Sequence, residues 1–211
     1  MSWTYRQRDP GLTLFTAVLN AGAPLALGNG MRMLEIGCNE ADWLTPAAEA
    51  WPESRFVGVD TRAEEGVQGR VWRHRGDARQ ADLFEPESFD AVVSVSAIEH
   101  IGLGHYGDPQ DPDGDIQAMT NAFRWLKPGG WLYFDVPYDP TGYQVLNTEC
   151  RIYDDNARWE RLWQVPLTEA KAKARWHWDG YVESRFPGTL VEKPTEAAPR
   201  YWYAAHVWQK C

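Results

Sequence analysis

The stretch Met31-Arg32-Met33-Leu34-Glu35-Ile36-Gly37-Cys38-Asn39-Glu40-Ala41 decides the fold. Residues Met31 to Ile36 are apolar except at Arg32 and Glu35, the composition of a central parallel strand covered on both faces. Gly37 then permits a sharp turn. A helix is predicted from Asp42 to Ala50, opening with carboxylates that suit the positive end of its dipole. Strand, tight turn and helix in that order build a ligand-binding crevice at the strand's carboxyl end.

The charges around the turn limit the ligand. A dinucleotide fingerprint needs glycines two and five residues after Gly37, and those places hold Asn39 and Asp42. Glu35, Glu40 and Asp42 would also repel a pyrophosphate, with no lysine or arginine placed to offset them. A cationic ligand fits better. S-adenosylmethionine carries a sulfonium and an ammonium group and no phosphate, and Glu35 is suitably charged to meet the ammonium side. Asp60 closes a second strand, Arg55 to Val59, where a carboxylate can accept both hydroxyls of a ribose.

At 211 residues the chain suits one full-sized domain. We expect an N-terminal helical segment over 1–30, a ligand-binding core over 31–138 and an aromatic-rich part over 139–211 that completes the sheet and the acceptor side. A net charge of -9 lacks the footprint of a phosphate-backbone binder, so nucleic acid is disfavoured as a partner. The three cysteines, Cys38, Cys150 and Cys211, make neither a disulfide framework nor a metal spacing, which suits a reducing compartment. No signal peptide or spanning segment is evident, so a cytoplasmic protein without membrane partners is expected.

In chain order, Leu12, Phe15, Val18 and Leu19 recur at helical spacing before Pro24. Thr61 to Gln68 reads as a short helix, and Arg70 to Asp77 as a third strand with a basic run, Val71-Trp72-Arg73-His74-Arg75. Phe89 to Ser96 is the clearest buried strand, followed by a polar loop from Gly102 to Asp115. Ile116, Met119, Phe123 and Leu126 mark a helix that Lys127-Pro128-Gly129-Gly130 ends with a tight turn, and Trp131 to Val136 is a fifth strand. This alternation implies a doubly wound α/β fold with a parallel sheet and right-handed crossovers. Asp154 to Trp163 reads as a further helix; Tyr181 to Phe186 and Tyr201 to Trp208 read as two late strands.

Several motifs, taken in order, resemble the class I S-adenosylmethionine-dependent methyltransferases over roughly Met31 to Tyr138. Glu35-Ile36-Gly37-Cys38 looks like the first motif, Asp60 like the acidic ribose ligand and Asp77-Ala78 like the pair that meets the adenine. Phe89-Asp90-Ala91-Val92-Val93 with Ser96-Ala97-Ile98-Glu99-His100 looks like the fourth-strand motif, and Leu126-Lys127-Pro128-Gly129-Gly130-Trp131-Leu132 like the turn before strand five. The resemblance implies a seven-stranded, mostly parallel sheet finished by a C-terminal antiparallel hairpin. It also implies cofactor contacts from Glu35, Gly37, Cys38, Asn39, Asp60, Thr61, Asp77, Ala78, Ser96 and Ala97. Asn39 and Ala41 depart from the family's usual glycines, and asparagine enters unusual backbone regions more easily than most residues. The stretch from Glu99 to Asp115 further resembles a methyltransferase-like family associated with sugar and cell-surface biosynthesis.

Methyl transfer from a sulfonium depends mainly on holding the acceptor against the methyl carbon, and a base is needed mainly for hydroxyl acceptors. His100 is the candidate base, with Glu99 beside it and His105 and Tyr106 on the following loop; the bland alternative is that His100 lines the site without moving a proton. A small polar acceptor, such as a sugar-like hydroxyl compound, is expected. The rivals are a module that binds S-adenosylmethionine or S-adenosylhomocysteine without turnover, and an enzyme that cleaves the cofactor or acts on a nucleotide-sugar.

Asp108, Asp111, Asp113 and Asp115 could gather Mg²⁺ or Ca²⁺, but the favoured reading has Asp113 or Asp115 capping the next helix and the others solvated. Arg70, Arg73, Arg75 and Arg79 could draw an anionic acceptor, though ion pairing on an outer strand is the commoner use. Trp159, Trp163, Trp176, Trp178, Trp202 and Trp208 could stack on rings, but more often fill a core or an oligomer interface, and a homodimer stays open. Asp135-Val136-Pro137-Tyr138 resembles the Asp-Pro-Pro-Tyr of amino-group nucleic-acid methyltransferases, but it follows the fifth strand, not the fourth, and is discounted. Cys38 would be a nucleophile only if its thiol were activated, which the acidic turn opposes.

Overall fold

Met33, Leu34 and Ile36 are all buried although successive strand residues point to opposite faces, so the first strand must be covered on both sides. A computed structural model, describing residues 27–39, 43–138, 142–153, 170–178 and 202–211, shows how. The first strand, β1 (Arg32–Ile36), is followed by α1 (Leu44–Ala50), β2 (Arg55–Asp60), β3 (Gly66–Gln68), β4 (Val71–Arg75) and β5 (Phe89–Ser94). A 3₁₀ turn (Ile98–His100), α2 (Gly114–Trp125), β6 (Leu126–Tyr138), β7 (Gln144–Leu146), β8 (Cys150–Ile152), β9 (Ala170–Trp178) and β10 (Trp202–Lys210) complete the described chain.

The main sheet has the order β3-β4-β2-β1-β5-β6-β10-β9. Strands β4, β2, β1, β5 and β6 are parallel, while β10 runs antiparallel to β6 and to β9. The chain leaves β1 towards β2 and β4 and returns on its other side to β5 and β6. The carboxyl end of β1 is therefore a topological switch point. Helix α1 packs with Met33, Phe56 and Val93 on one face, and α2 packs with Leu34, Val92 and Leu132 on the other.

This is the expected mostly parallel α/β sheet with its C-terminal antiparallel hairpin, with several corrections. Thr61 to Gln68 is not a helix: it is a turn followed by the short edge strand β3, antiparallel to β4, which makes eight strands where seven were expected. The apolar spacing there was too short to distinguish a helical turn from an edge strand. Helix α1 begins at Leu44, later than the predicted Asp42, and has no acidic residue in its first turn. In the late hairpin β10 pairs with Ala170–Trp178, a stretch not predicted as a strand. Lys127-Pro128-Gly129-Gly130 ends α2 but lies within β6 as an irregularity, the pairing jumping from Phe89↔Leu126 to Ala91↔Trp131. The helices predicted over Leu12–Leu19 and Asp154–Trp163, and the strand over Tyr181–Phe186, lie outside the described residues. No helix among the described residues is long and apolar enough to cross a membrane.

The β7–β8 hairpin has no counterpart in the sequence prediction, and one buried arginine ties it to the loop after β5 and to α2. Arg151, 1% exposed, donates from Nη1 to the backbone oxygens of Glu99 (3.2 Å) and Ile101 (2.6 Å) and from Nη2 to that of Asp111 (3.3 Å). Its Nε lies 3.7 Å from Asp115 Oδ2, which also accepts from the Tyr153 hydroxyl at 2.8 Å. Removing one member of a buried ion pair leaves the other charge uncompensated. Arg151→Met should therefore lower stability by about 3–5 kcal/mol in denaturant titration, and a loss under 1 kcal/mol would show that the cluster is not a clamp.

Candidate active site

The site begins where β1 ends. Gly37 has φ +85°, and a Cβ there would lie 2.2 Å from the Cβ of Ala97, on the segment after β5. The turn is tied to β2 by Gly37 N–H donating to Val59 O at 2.8 Å. Gly58 is needed for a related reason: a Cβ there would meet Cys38 Sγ at 2.6 Å. The turn is bare backbone at its centre because two neighbouring strands press against it.

The predicted residues fall around this turn, each at or just past a strand's carboxyl end. Glu35 is fully buried in β1, Asp60 ends β2, and Asp77 and Ala78 follow β4. Ser96 and Ala97 follow β5, and the exposed Asn39 and Thr61 stand at the rim. Asn39 does not take the left-handed conformation its side chain would tolerate. Among the described non-glycine residues, Glu87, Ser96, Asn147 and Thr148 do.

Ser96, with φ +46°, is held there by a carboxylate on β6. Asp135 Oδ1 on β6 accepts from Ser96 N–H at 2.8 Å and from its hydroxyl at 3.2 Å, while Oδ2 accepts from Tyr133 OH at 2.6 Å. Asp135 and Tyr133 are fully buried. A carboxylate inside an otherwise apolar strand was the signal available for it.

The arginines of the β4 region act as staples. Arg73 donates to the backbone oxygen of Cys38, and Arg75 Nε to that of Ala63. Arg79 Nε donates to Asp77 Oδ1 and Oδ2 at 3.0 Å each, and its Nη1 to Pro109 O at 2.7 Å. Burial raises the pKa of Asp77, but these Arg79 hydrogen bonds outweigh it and hold the carboxyl below its usual value. The group expected to face an adenine is thus already engaged by Arg79, and Asn121 Nδ2 fixes the adjoining Ala78 carbonyl at 2.9 Å. Burial and then the charge of Glu35 push the Cys38 thiol up to about 12, so it stays protonated at neutral pH and is no nucleophile.

The candidate acid–base residues are brought together. His100 Nε2 lies 3.8 Å from Glu99 Oε1, and the His100 ring sits 5.3 Å from Tyr106 and 6.4 Å from His105, centre to centre. The guanidinium of Arg62, beside Asp60, lies 3.8 Å over the Tyr106 ring. This contact bridges the end of β2 and the loop after β5.

The carboxylates of that loop do not converge on an ion. Asp108 Oδ2 accepts from Gly102 N–H, Asp111 accepts from Asp113 N–H and Gln117 Nε2, and Asp115 is turned inward to Arg151 and Tyr153. Asp113 occupies the N-cap position of α2 without a side-chain capping bond, so the capping reading fails for both residues. No group of three potential metal ligands exists among the described residues. A cavity of about 280 Å³ opens between this loop and the β7–β8 hairpin, lined by Leu103, Gln110, Tyr143, Val145 and Thr148 among others. Trp208 is core, like Trp43 and Trp125, and lies edge-on to Phe134 at 5.1 Å.

Residues 5–182 match a family described as "Methyltransferase domain", and the chain belongs to it. Trans-aconitate 2-methyltransferase of Azoarcus sp. (strain BH72) is 24% identical over 128 residues, 59% of this chain and 47% of that protein. Methyltransferase str2 of Strobilurus tenacellus is 24% identical over 118 residues, covering 55% and 39%. The chain thus spans less than half the length of these curated relatives. The structure is similar to Burkholderia thailandensis 1,6-didemethyltoxoflavin-N1-methyltransferase, solved with bound 1,6-didemethyltoxoflavin and S-adenosylhomocysteine, with a TM-score of 0.62, 14% identity and coverage of 95% and 76%. It is also similar to the [4+2]-cyclase SpnF, with a TM-score of 0.64, 16% identity and coverage of 99% and 85%. The fold is that of the class I methyltransferases.

Asp135→Ala strands the Ser96 donors and the Tyr133 hydroxyl, and should cost about 1–3 kcal/mol of stability, read by denaturant titration; a neutral change would remove its supporting role. For Asp77 the folded pKa lies below the unfolded value of about 3.9. Its contribution is present above that value and is lost as pH falls through the folded pKa. Stability of wild type and Asp77→Asn should differ above about pH 4 and converge in stronger acid; a gap that persists in acid would refute the ionic origin.

Proposed function

We propose that this chain is an S-adenosylmethionine-dependent methyltransferase acting on a small polar acceptor, a hydroxyl of a sugar-like metabolite, and that residues 1–211 work as one domain. The observation that carries the reading is the bare turn at Gly37, where the Ala97 contact forbids a side chain, set at a switch point ringed by Glu35 and Asp60. This cradle fits the cofactor: its donor set is acidic, which suits a sulfonium and an ammonium group and opposes a pyrophosphate.

Glu35 and the Gly37–Asn39 backbone would hold the amino-acid end, with Cys38 as a neutral wall. Asp60, with Thr61 beside it, would accept the ribose hydroxyls. Asp77, Ala78, Ser96 and Ala97 would frame the adenine and the sulfonium side. When bound, the cofactor would supply an electrophilic methyl carbon with a neutral thioether as its leaving group. His100, backed by Glu99 and near His105, takes the proton of the acceptor hydroxyl.

The relatives are named for trans-aconitate and for N1 of 1,6-didemethyltoxoflavin. The hydroxyl acceptor therefore rests on the His100–Glu99 arrangement. A second reading, in which this pocket serves a different chemistry, is favoured by one finding: a [4+2]-cyclase shares the fold. Methyl transfer releases one S-adenosylhomocysteine per product, so a product formed without it marks the second reading, and cofactor breakdown with no added acceptor marks cleavage.

Titration calorimetry should show binding of both S-adenosylmethionine and S-adenosylhomocysteine. Asp60→Ala should weaken it by about 1–3 kcal/mol, and unchanged affinity in the folded variant would sink the ribose contact. His100→Ala should keep cofactor affinity while turnover of a hydroxyl acceptor drops about 10²–10⁴-fold; full activity would remove the base.

A further inference from the structure

The candidate base is held from outside the loop that carries it. His100 Nδ1 lies 2.5 Å from the backbone oxygen of Glu149, in the turn before β8. A carbonyl oxygen can only accept, so a neutral His100 must carry its proton on Nδ1 and its lone pair on Nε2. That Nε2 is the atom facing Glu99 Oε1 at 3.8 Å, with the Glu99 side chain 1% exposed and the His100 side chain 22% exposed. The ring is buried enough to be oriented and open enough to be reached.

The hairpin that supplies the Glu149 oxygen is itself locked to the loop that carries His100. Arg151, two residues on, donates to the backbone oxygens of Glu99 and Ile101, on either side of His100. Asp115 and Tyr153 anchor that arginine from behind. The other titratable groups around the ring are His105 and Tyr106, with Arg62 over the Tyr106 face, and Cys150 follows Glu149 in the chain. The Cys150 thiol is pushed up to about 11 by burial and by Glu99 and Glu149, and stays neutral.

Resting on the reading of His100 as the base, we propose that the β7–β8 hairpin is the positioning element that arms it. The Glu149 carbonyl keeps the proton on Nδ1, Nε2 is the accepting nitrogen, and the Glu99 carboxylate is the counter-ion of the imidazolium. The hydroxyl proton, released as its oxygen takes the methyl group, arrives on Nε2, and one positive charge appears on the ring beside the buried carboxylate. Without the hairpin the imidazole would revert to the Nε2–H form that free histidine prefers, with its accepting nitrogen turned the wrong way.

The test is long-range ¹H–¹⁵N NMR on protein labelled at histidine, which distinguishes the two neutral tautomers; the His100 signals are identified by their loss in His100→Gln. Wild type should show the Nδ1–H form. Arg151→Gln, or Arg151→Lys if the first does not fold, should shift the population towards Nε2–H. Glu99→Gln should lower the His100 titration midpoint, with a loss of proton affinity of about tenfold. An Nε2–H or mixed wild type, an unaltered tautomer in the folded Arg151 variant, or an unmoved midpoint in Glu99→Gln would overturn the proposal. The spectrum reads the ring without turnover, so it stands or falls separately from methyl transfer: a fully active His100→Ala would remove the base and leave the tautomer result intact.

Discussion

The contact between Gly37 and Ala97 is the constraint on which the rest of the site depends. A Cβ at Gly37 would sit 2.2 Å from that of Ala97, closer than two carbons can approach, so β1 and β5 converge just past their ends only because one of them ends in glycine. The convergence brings the chain after β1 and the chain after β5 into one crevice. Everything then assigned to cofactor or acceptor sits on segments that leave these two strands or their neighbours β2, β4 and β6.

Such a crevice needs its loops held, and the molecule does this with buried polar groups. Asp135 in β6 gathers Ser96 and Tyr133 and keeps Ser96 in a left-handed conformation. Arg151 gathers three backbone oxygens from the loop after β5 and is balanced by Asp115. Each group is costly to bury alone and inexpensive once all its partners are present, so each cluster specifies one loop arrangement more than it adds net stability.

The electrostatics follow the same economy. Burial, and after it the acidic groups at the turn, keep the Cys38 thiol protonated, and the arginines of β4 and the following turn are engaged by Cys38, Ala63 and Asp77. A chain carrying -9 overall has thereby directed several of its cations to hold its own backbone.

Much was legible in one dimension. The apolar run from Met31, the glycine after it, the carboxylate closing β2 and the buried run from Phe89 name the parallel sheet and its switch point, because burial on both faces leaves a continuous apolar signature and a tight turn needs glycine. The same residues implied a cationic ligand through charge alone. Short elements were not legible: a three-residue edge strand at Gly66–Gln68 carries too few residues for its period to show, and the choice of Ala170–Trp178 as hairpin partner is made by β10. Nor could the sequence reveal that Asp135 reaches Ser96, that Arg151 spans from β8 to the loop around Glu99, or that the Glu149 oxygen meets His100. Those pairings join residues about forty to fifty positions apart, and only the packed sheet, which brings the ends of β5, β6 and β8 to one place, decides them.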